Sequence, residues 1–314
     1  MAYTLARTGF SKHAFNPCHP FTLGPPTMTD AAKKLRSLLE APGLLIAPGC
    51  YDALSGKLVE ETGFSAAYMT GFGTSASVLG MPDAGLISFT EMATHAGNIA
   101  NALRIPLIAD GDTGYGNAVN VFRTVKAYAR AGIAGTHIED QDLPKKCGHT
   151  EGKKLVSMEE MVGKIRAACD ARAEQDIFII ARTDSRAVAG YEEAVRRCLA
   201  YHEAGADMVF FEAPETVEEM EALCKEIRAP KLINMAVGGK TPFVPISRLE
   251  KMGFKLAIYP AVTLAAAIKA VRETLVKIRE NPDESPAVEG VDFEQVKRLV
   301  GFPEYYEMER KYSA

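Results

Sequence analysis

The chain has 314 residues, of which 47% are hydrophobic and 24% charged, and a formal net charge of −4. That length suits one large α/β barrel or two ordinary domains, each with a real core. The mild acidity speaks against nucleic acid or an anionic membrane as partner, and no apolar run reaches the about 18 residues that span a bilayer.

Residues 1–27 contain no acid, a few bases and no convincing apolar core of a leader. They are expected to be a flexible extension in preference to an organellar leader. The six cysteines stand apart with no C-x-x-C pair. Reduced thiols in an intracellular, cytoplasmic setting are therefore expected, not a zinc site or a disulfide framework.

From residue 44 one theme repeats: a short apolar run, polar residues at its end, then an amphipathic helical pattern. The runs are 44–47, 66–69, 106–109, 136–138, 177–181, 208–211, 231–233 and 256–258. Near-continuous apolar character suits parallel strands covered on both faces. Ser88…Glu91, Ser157…Glu160 and Thr216…Glu219 fit the S/T-x-x-E capping pattern, which satisfies free N–H groups in a first helical turn. Gly63, Gly132, Gly205 and Gly253 each precede a run, where glycine ends a helix in the left-handed conformation. Eight strand–helix repeats predict a (β/α)8 barrel of the TIM type over 28–280. Residues 281–314 read as a turn-rich linker followed by a C-terminal helical arm.

In such a barrel the reactive groups lie at the carboxyl ends of the strands. The runs end in Tyr51 and Asp52, Thr70, Asp110 and Asp112, Glu139, Arg182 and Asp184, Glu212, Asn234 and Tyr259. So many acids on one rim repel one another unless a cation is present. Asp110 and Asp112 are two apart, so both carboxylates can face the barrel mouth. With Glu139 they make an all-oxygen site suited to Mg²⁺ or Mn²⁺. Residues 70–74, T-G-F-G-T, lack a P-loop lysine and read as backbone N–H groups holding a carboxylate. Arg182 is either a bidentate partner for a substrate carboxylate or a structural pair with Glu212 or Asp184. His95, His137 and His202 fall inside strand or helix patterns and read as packed or surface residues.

The stretch 135–154, GTHIEDQDLPKKCGHTEGKK, leaves a strand and opens into a loop with little apolar content. Two ammonium groups and an imidazole close to Cys147 predict a favoured thiolate. Lys145-Lys146-Cys147-Gly148-His149, together with Asp110-x-Asp112, 137–141 HIEDQ and 181–184 ARTD, resembles the isocitrate lyase/phosphoenolpyruvate mutase superfamily over about residues 44–277. Its compact members, methylisocitrate lyase, 2,3-dimethylmalate lyase and the petal death protein, are the more similar.

The resemblance implies a barrel whose C-terminal helices are exchanged between subunits, in a homotetramer. It implies Mg²⁺ surrounded by Asp83, Asp110, Asp112 and Glu139, largely through water. Tyr68, Thr70, Gly71, Phe72, Gly148, Asn234 and Pro260 would contact a 2-hydroxy or 2-oxo dicarboxylate. Cys147, Lys145, Lys146, His149, Arg182 and Glu212 would serve catalysis, with Cys147 as acid/base on a mobile loop. The implied reaction is cleavage of an alkylmalate or methylisocitrate to a 2-oxo acid and a carboxylate, with oxaloacetate hydrolysis or a silent barrel as alternatives. The Cys-Gly-His loop speaks against P–C bond chemistry. Phe72, where methylisocitrate lyases usually have glycine, and the lack of a glutamate in 236–238 favour a smaller, alkyl-substituted malate.

Overall fold

Eight parallel strands close into a barrel in sequence order. They are β1 (Leu45–Cys50), β2 (Ala67–Met69), β3 (Leu107–Asp110), β4 (Gly135–Glu139), β5 (Phe178–Thr183), β6 (Met208–Phe211), β7 (Lys231–Asn234) and β8 (Leu256–Tyr259). β8 returns to pair with β1 from Leu45↔Leu256 to Pro48↔Tyr259. The computed structural model describes residues 28–173, 175–286, 288 and 290–313, so the expectation for residues 1–27 lies outside the described part. Among the described residues no helix is long and apolar enough to cross a membrane.

The expected strands are all present, most of them extended by a residue or two at the carboxyl end. Asp110, Glu139, Arg182, Thr183 and Asn234 look polar enough to be loop, yet they continue the ladder. Strand pleating explains why they point usefully. Tyr68, Ile108, Phe178, Ile180, Met208, Phe210, Leu232 and Ile258 form the barrel interior, while Ile138, Ile179 and Ala181 pack outward. Two residues further along the same inward parity come Thr70, Asp110, Arg182, Glu212, Asn234 and Pro260. Gly49 must lack a side chain, since a Cβ would come within 2.0 Å of Pro260 O.

The outer layer comprises α2 (Ala53–Glu61), α3 (Gly71–Thr74) running into a π-helical turn at Ser75–Leu79, α4 (Phe89–Ala102), α5 (Ala118–Arg130) and α6 (Met158–Ala171). There follow α7 (Arg186–Ala189), α8 (Tyr191–Glu203), α9 (Val217–Glu226), α10 (Ile246–Met252) and α11 (Val262–Glu280). Ser88 and Glu91 form the reciprocal capping box at α4. At α6 and α9, Ser157 and Thr216 cap the third N–H alone. Glu219 turns instead to the Glu215 N–H and to Arg186. Asp52, expected on the reactive rim, is spent as the N-cap of α2 with Ser55. α12 (Phe293–Leu299) and α13 (Phe302–Tyr312) belong to a separate compact unit, in which Tyr306 packs on Phe302 and Tyr305. α11 leaves Ile268, Val271 and Leu275 exposed.

A helix absent from the sequence reading, α1 (Met28–Glu40), closes the barrel floor. Leu35 is fully buried and Leu39 nearly so, both packed with the interior residues of the strands. Leu35 lies so close to Gly135 that a Cβ there would meet it at 2.9 Å. Arg36 bonds Asp176 at 3.0 Å and Asp207 at 2.9 Å, which fixes the helix to the loops before β5 and β6. A Leu35→Ala variant is expected to lose about 2–5 kcal/mol, the cost of a buried leucine and the cavity it leaves. Urea unfolding measures this, and an unchanged midpoint would remove α1 from the core.

Candidate active site

The mouth of the barrel gathers acids from four strand ends and two loops. Asp83, Asp110, Asp112, Glu139, Asp184 and Glu212 are all buried. Asp110 accepts from the Asp112 N–H at 2.9 Å and the Gly71 N–H at 3.2 Å. Gly71 has to be glycine, because a Cβ would come to 2.4 Å from Asp110 Oδ2. Asp112 takes φ 47°, a left-handed conformation uncommon away from glycine and typical of residues held for a purpose. Burial pushes Asp112 up to about 6 and Glu139 well above the carboxylate range. Burial would raise Asp110 as well, but Lys145, Arg182 and the Asp112 N–H outweigh it and hold it low.

These acids suit a divalent cation with oxygen ligands. Glu139 Oε1 is buried without a hydrogen-bond partner, Asp112 Oδ1 has the Lys145 ammonium beside it, and all-oxygen donors fit Mg²⁺. Among the described residues no group of three His, Cys, Asp or Glu could hold a metal ion by itself. Water and substrate oxygens would have to complete the shell.

Arg182 is the fixed cation of the mouth. It bonds Asp184 twice, Nε at 2.8 Å and Nη2 at 3.1 Å, and lies 3.3 Å from Glu139 and 3.7 Å from Glu212. The structural pairing left open from sequence is therefore present. Beneath it, Tyr68 and His137 meet at 2.7 Å, stacked, with Phe210 on the other side of the imidazole. Burial pushes His137 down to about 4, so it is neutral and packed, as expected.

The loop after β4 lies over this ring. The Asp142 N–H bonds Lys154 O at 2.8 Å, and Gln141 pairs with Leu155 at the base of the loop. The Gln141 side chain grips both backbone groups of Lys146, at 2.8 and 2.9 Å. Three basic residues four apart then turn inward. Lys145 contacts Asp83 and, at 2.5 Å, Asp112. His149 Nδ1 accepts the Lys240 N–H at 3.2 Å, which leaves the ring proton on Nε2, 3.0 Å from Glu212 Oε1. Asn234 also reaches Glu212, at 3.3 Å. Lys153 bonds Gly148 O and, at 2.9 Å, Asp184. Gly148 is pressed against Arg182 and Glu212, where a Cβ would come to 2.4 and 2.8 Å.

Several expectations need correction. Lys146 is exposed and its ammonium lies 3.4 Å from Glu151 O, away from the ring. Residues 70–74 hold the protein's own groups: the Gly71 N–H bonds Asp110, and Thr70 Oγ1 caps the Gly73 N–H. The Phe72 ring is 43% exposed and forms no buried wall. Pro260 packs its carbonyl against Gly49 and is half-buried.

Cys147 is raised, not lowered. Burial is the main cause; the His149 N–H and Arg182 pull down, while Asp83 and Glu212 push further up. Lys145 and Lys153 pair with carboxylates and Lys146 faces solvent, so they do not stabilise a thiolate. Sequence reasoning also gave no role to Lys153, or to the buried Asp140, which collects Thr183, Arg197, Tyr201 and the Asp184 N–H. Acid-to-base pairing across 31 to 57 residues leaves no local signature. Alkylation of Cys147, followed by peptide mass spectrometry, should be slow at neutral pH. Its rate should climb with pH through a midpoint above the ordinary thiol value of about 8.5; a midpoint near 7 would contradict the raised thiol.

A model of the phosphoenolpyruvate phosphomutase family matches residues 35–279. The chain is 45% identical to 2,3-dimethylmalate lyase of Eubacterium barkeri over 90% of its own length and 99% of that protein's. It superposes on an oxaloacetate acetylhydrolase in complex with 3,3-difluorooxalacetate with a TM-score of 0.87 at 39% identity, covering 90% of this chain and 97% of the other. Phosphonopyruvate hydrolase in complex with oxalate and Mg²⁺ is similar at a TM-score of 0.81 and 33% identity, over 90% and 99% of the two chains. By these matches the chain is an enzyme and belongs to the phosphoenolpyruvate mutase/isocitrate lyase superfamily.

Proposed function

We propose that the chain is a divalent-cation-dependent lyase that cleaves the C2–C3 bond of an alkyl-substituted malate into a 2-oxo acid and a carboxylate. The observation that carries this reading is the placement of a protonated thiol, Cys147, on a loop packed against Arg182 and Glu212. Asp83, Asp110, Asp112 and Glu139 would hold the cation, through water in part. When bound, Mg²⁺ supplies the Lewis acidity that makes the C2 alkoxide accessible.

The protein's own groups account for the rest. Arg182, oriented by Asp184, offers a planar guanidinium to a substrate carboxylate. Loss of the C2–OH proton to a rim carboxylate and collapse of the resulting alkoxide break C2–C3 and leave a carboxylate enolate, which needs fixed positive charge beside it. Cys147 Sγ hands its proton to the enolate carbon, a task for a thiol kept neutral by burial. The closed loop keeps water from that carbanion. Glu212 and Asn234, joined to each other and to His149, form the polar wall facing the loop.

Assay of the purified protein with a panel of 2-alkylmalates is expected to release 2-oxo acid only with Mg²⁺ or Mn²⁺. Cys147→Ala should lose about 10²–10⁴-fold in turnover, the range of a general acid. Turnover that survives EDTA, or survives Cys147→Ala, would sink the reading. The likeness to oxaloacetate acetylhydrolase favours one second reading, hydrolysis of oxaloacetate to oxalate and acetate, and oxalate release separates the two.

The exposed face of α11 supports a further part of the proposal. Ile268, Val271 and Leu275 lie along one side of a helix that ends a barrel, and such a face is covered when copies exchange helices in a homotetramer. Light scattering on a sizing column is expected to give four chains, and Leu275→Glu to lower that number. A wild-type monomer at micromolar concentration would refute it.

A further inference from the structure

Lys153 sits in the rising stem of the loop with its side chain buried. Its ammonium has two partners, the carbonyl of Gly148 and Asp184 Oδ1 at 2.9 Å. Asp184 is also the carboxylate that takes two hydrogen bonds from Arg182, and its own N–H is tied to Asp140 at 2.9 Å. The backbone of Gly148 lies directly on the Arg182 guanidinium. One ammonium therefore joins the tip of the loop, next to Cys147, to the group that sets the plane of Arg182.

A plain structural ion pair explains only half of this. Asp184 is already compensated by Arg182, which holds its carboxyl far below the usual range together with Lys153, against the cost of burial. The bond to Gly148 O adds nothing to that charge balance. It is made with the loop in its present place, where Gly148 reaches the ring. The rest of the mouth behaves alike: Lys145 and His149 also bridge loop to rim, each through its own side chain to a carboxylate, whereas the Lys153 ammonium also holds the Gly148 carbonyl.

We propose that Lys153 is a positioning residue, a latch that makes closure of the Cys147 loop and placement of Arg182 a single event. The proposal deepens the lyase reading, since it concerns the loop that delivers the proton, but its test uses no substrate. The latch acts through Gly148 O and Asp184, and Lys153 itself touches no reacting atom.

The experiment measures iodoacetamide labelling of Cys147, Cys169 and Cys224 separately by peptide mass spectrometry, at fixed pH. All three thiols are half-buried, and the last two lie outside the loop. In Lys153→Met the Cys147 rate is expected to rise about 10- to 100-fold, the factor set by losing hydrogen bonds to a charged group. Cys169 and Cys224 should keep their rates, and Lys153→Arg should recover part of the protection. An unchanged Cys147 rate in a folded variant, or an equal rise at all three thiols, would overturn the latch. Should Lys153→Met fail to fold because Asp184 is left buried and short of a partner, the pair Lys153→Met with Asp184→Asn removes that charge and is read the same way. The same selective rise supports the latch there and its absence refutes it. Failure of every alkylmalate to react would sink the lyase reading and leave this result standing.

Discussion

Six buried carboxylates around one opening set the terms for everything else in this molecule. At about 4 Å and an effective dielectric near 20, two like charges cost about 4 kcal/mol, so such a ring cannot stand on its own. Among the described residues Arg182 is the cation that a strand end supplies to the rim, and it is divided among Asp184, Glu139 and Glu212. The remaining positive charge comes from the loop after β4, through Lys145 and Lys153, with the His149 N–H as a further donor. Closure of the loop is thus driven by the electrostatics of the rim more than by apolar burial, of which the loop has little. Of the two rim carboxyls that burial lifts, Asp112 has the Lys145 ammonium on its Oδ1, whereas Glu139 keeps an oxygen without a hydrogen bond. Glu139 marks where charge is still wanted.

The state of Cys147 follows from the same balance. Each basic group near it in sequence is committed to a carboxylate or to solvent, and the thiol is left with burial and two acids nearby. A nucleophilic or metal-binding cysteine needs the opposite surroundings. A neutral thiol on a movable segment suits a proton donor to carbon, and that is the step on which the proposed reaction depends.

Much of the architecture was legible because strand pleating and helix capping are local. The eight runs, the glycines at Gly63, Gly132, Gly205 and Gly253, all with positive φ, and the caps at Ser88, Ser157 and Thr216 can be read within a few residues. The strand ends were read short because Asp110, Glu139 and Arg182 are polar, and a polar residue in a ladder differs from one in a turn only through its neighbours in space. Helix α1 has its apolar residues at the right spacing, but nothing local says that Leu35 stops a barrel. The rim acids were recognised as a group, whereas their partners were not. Lys145, His149 and Lys153 recur every four residues in a segment that is not a helix, and only the fold shows that each finds a different carboxylate. The thiolate expectation failed for that reason: proximity in sequence was taken for proximity of charge.

The position of Gly148 carries a last consequence for the order of events. Its backbone already lies against the Nη2 end of Arg182, so tightly that one methyl group would collide with it and with Glu212. A substrate carboxylate seeking that Nη2 and the loop in its present place compete for one space. On the proposed reading, the closed form is one in which the protein satisfies its own arginine, and substrate enters only after the loop has lifted. Binding then competes with the contacts of Lys145, His149 and Lys153, and apparent affinity falls by the fraction of molecules that are open. The same contacts, remade around the substrate, would bring Cys147 to the carbon it protonates. A loop tied by charges that solvent can replace opens more readily than one tied by buried apolar area, and that suits a segment that must move in every turnover.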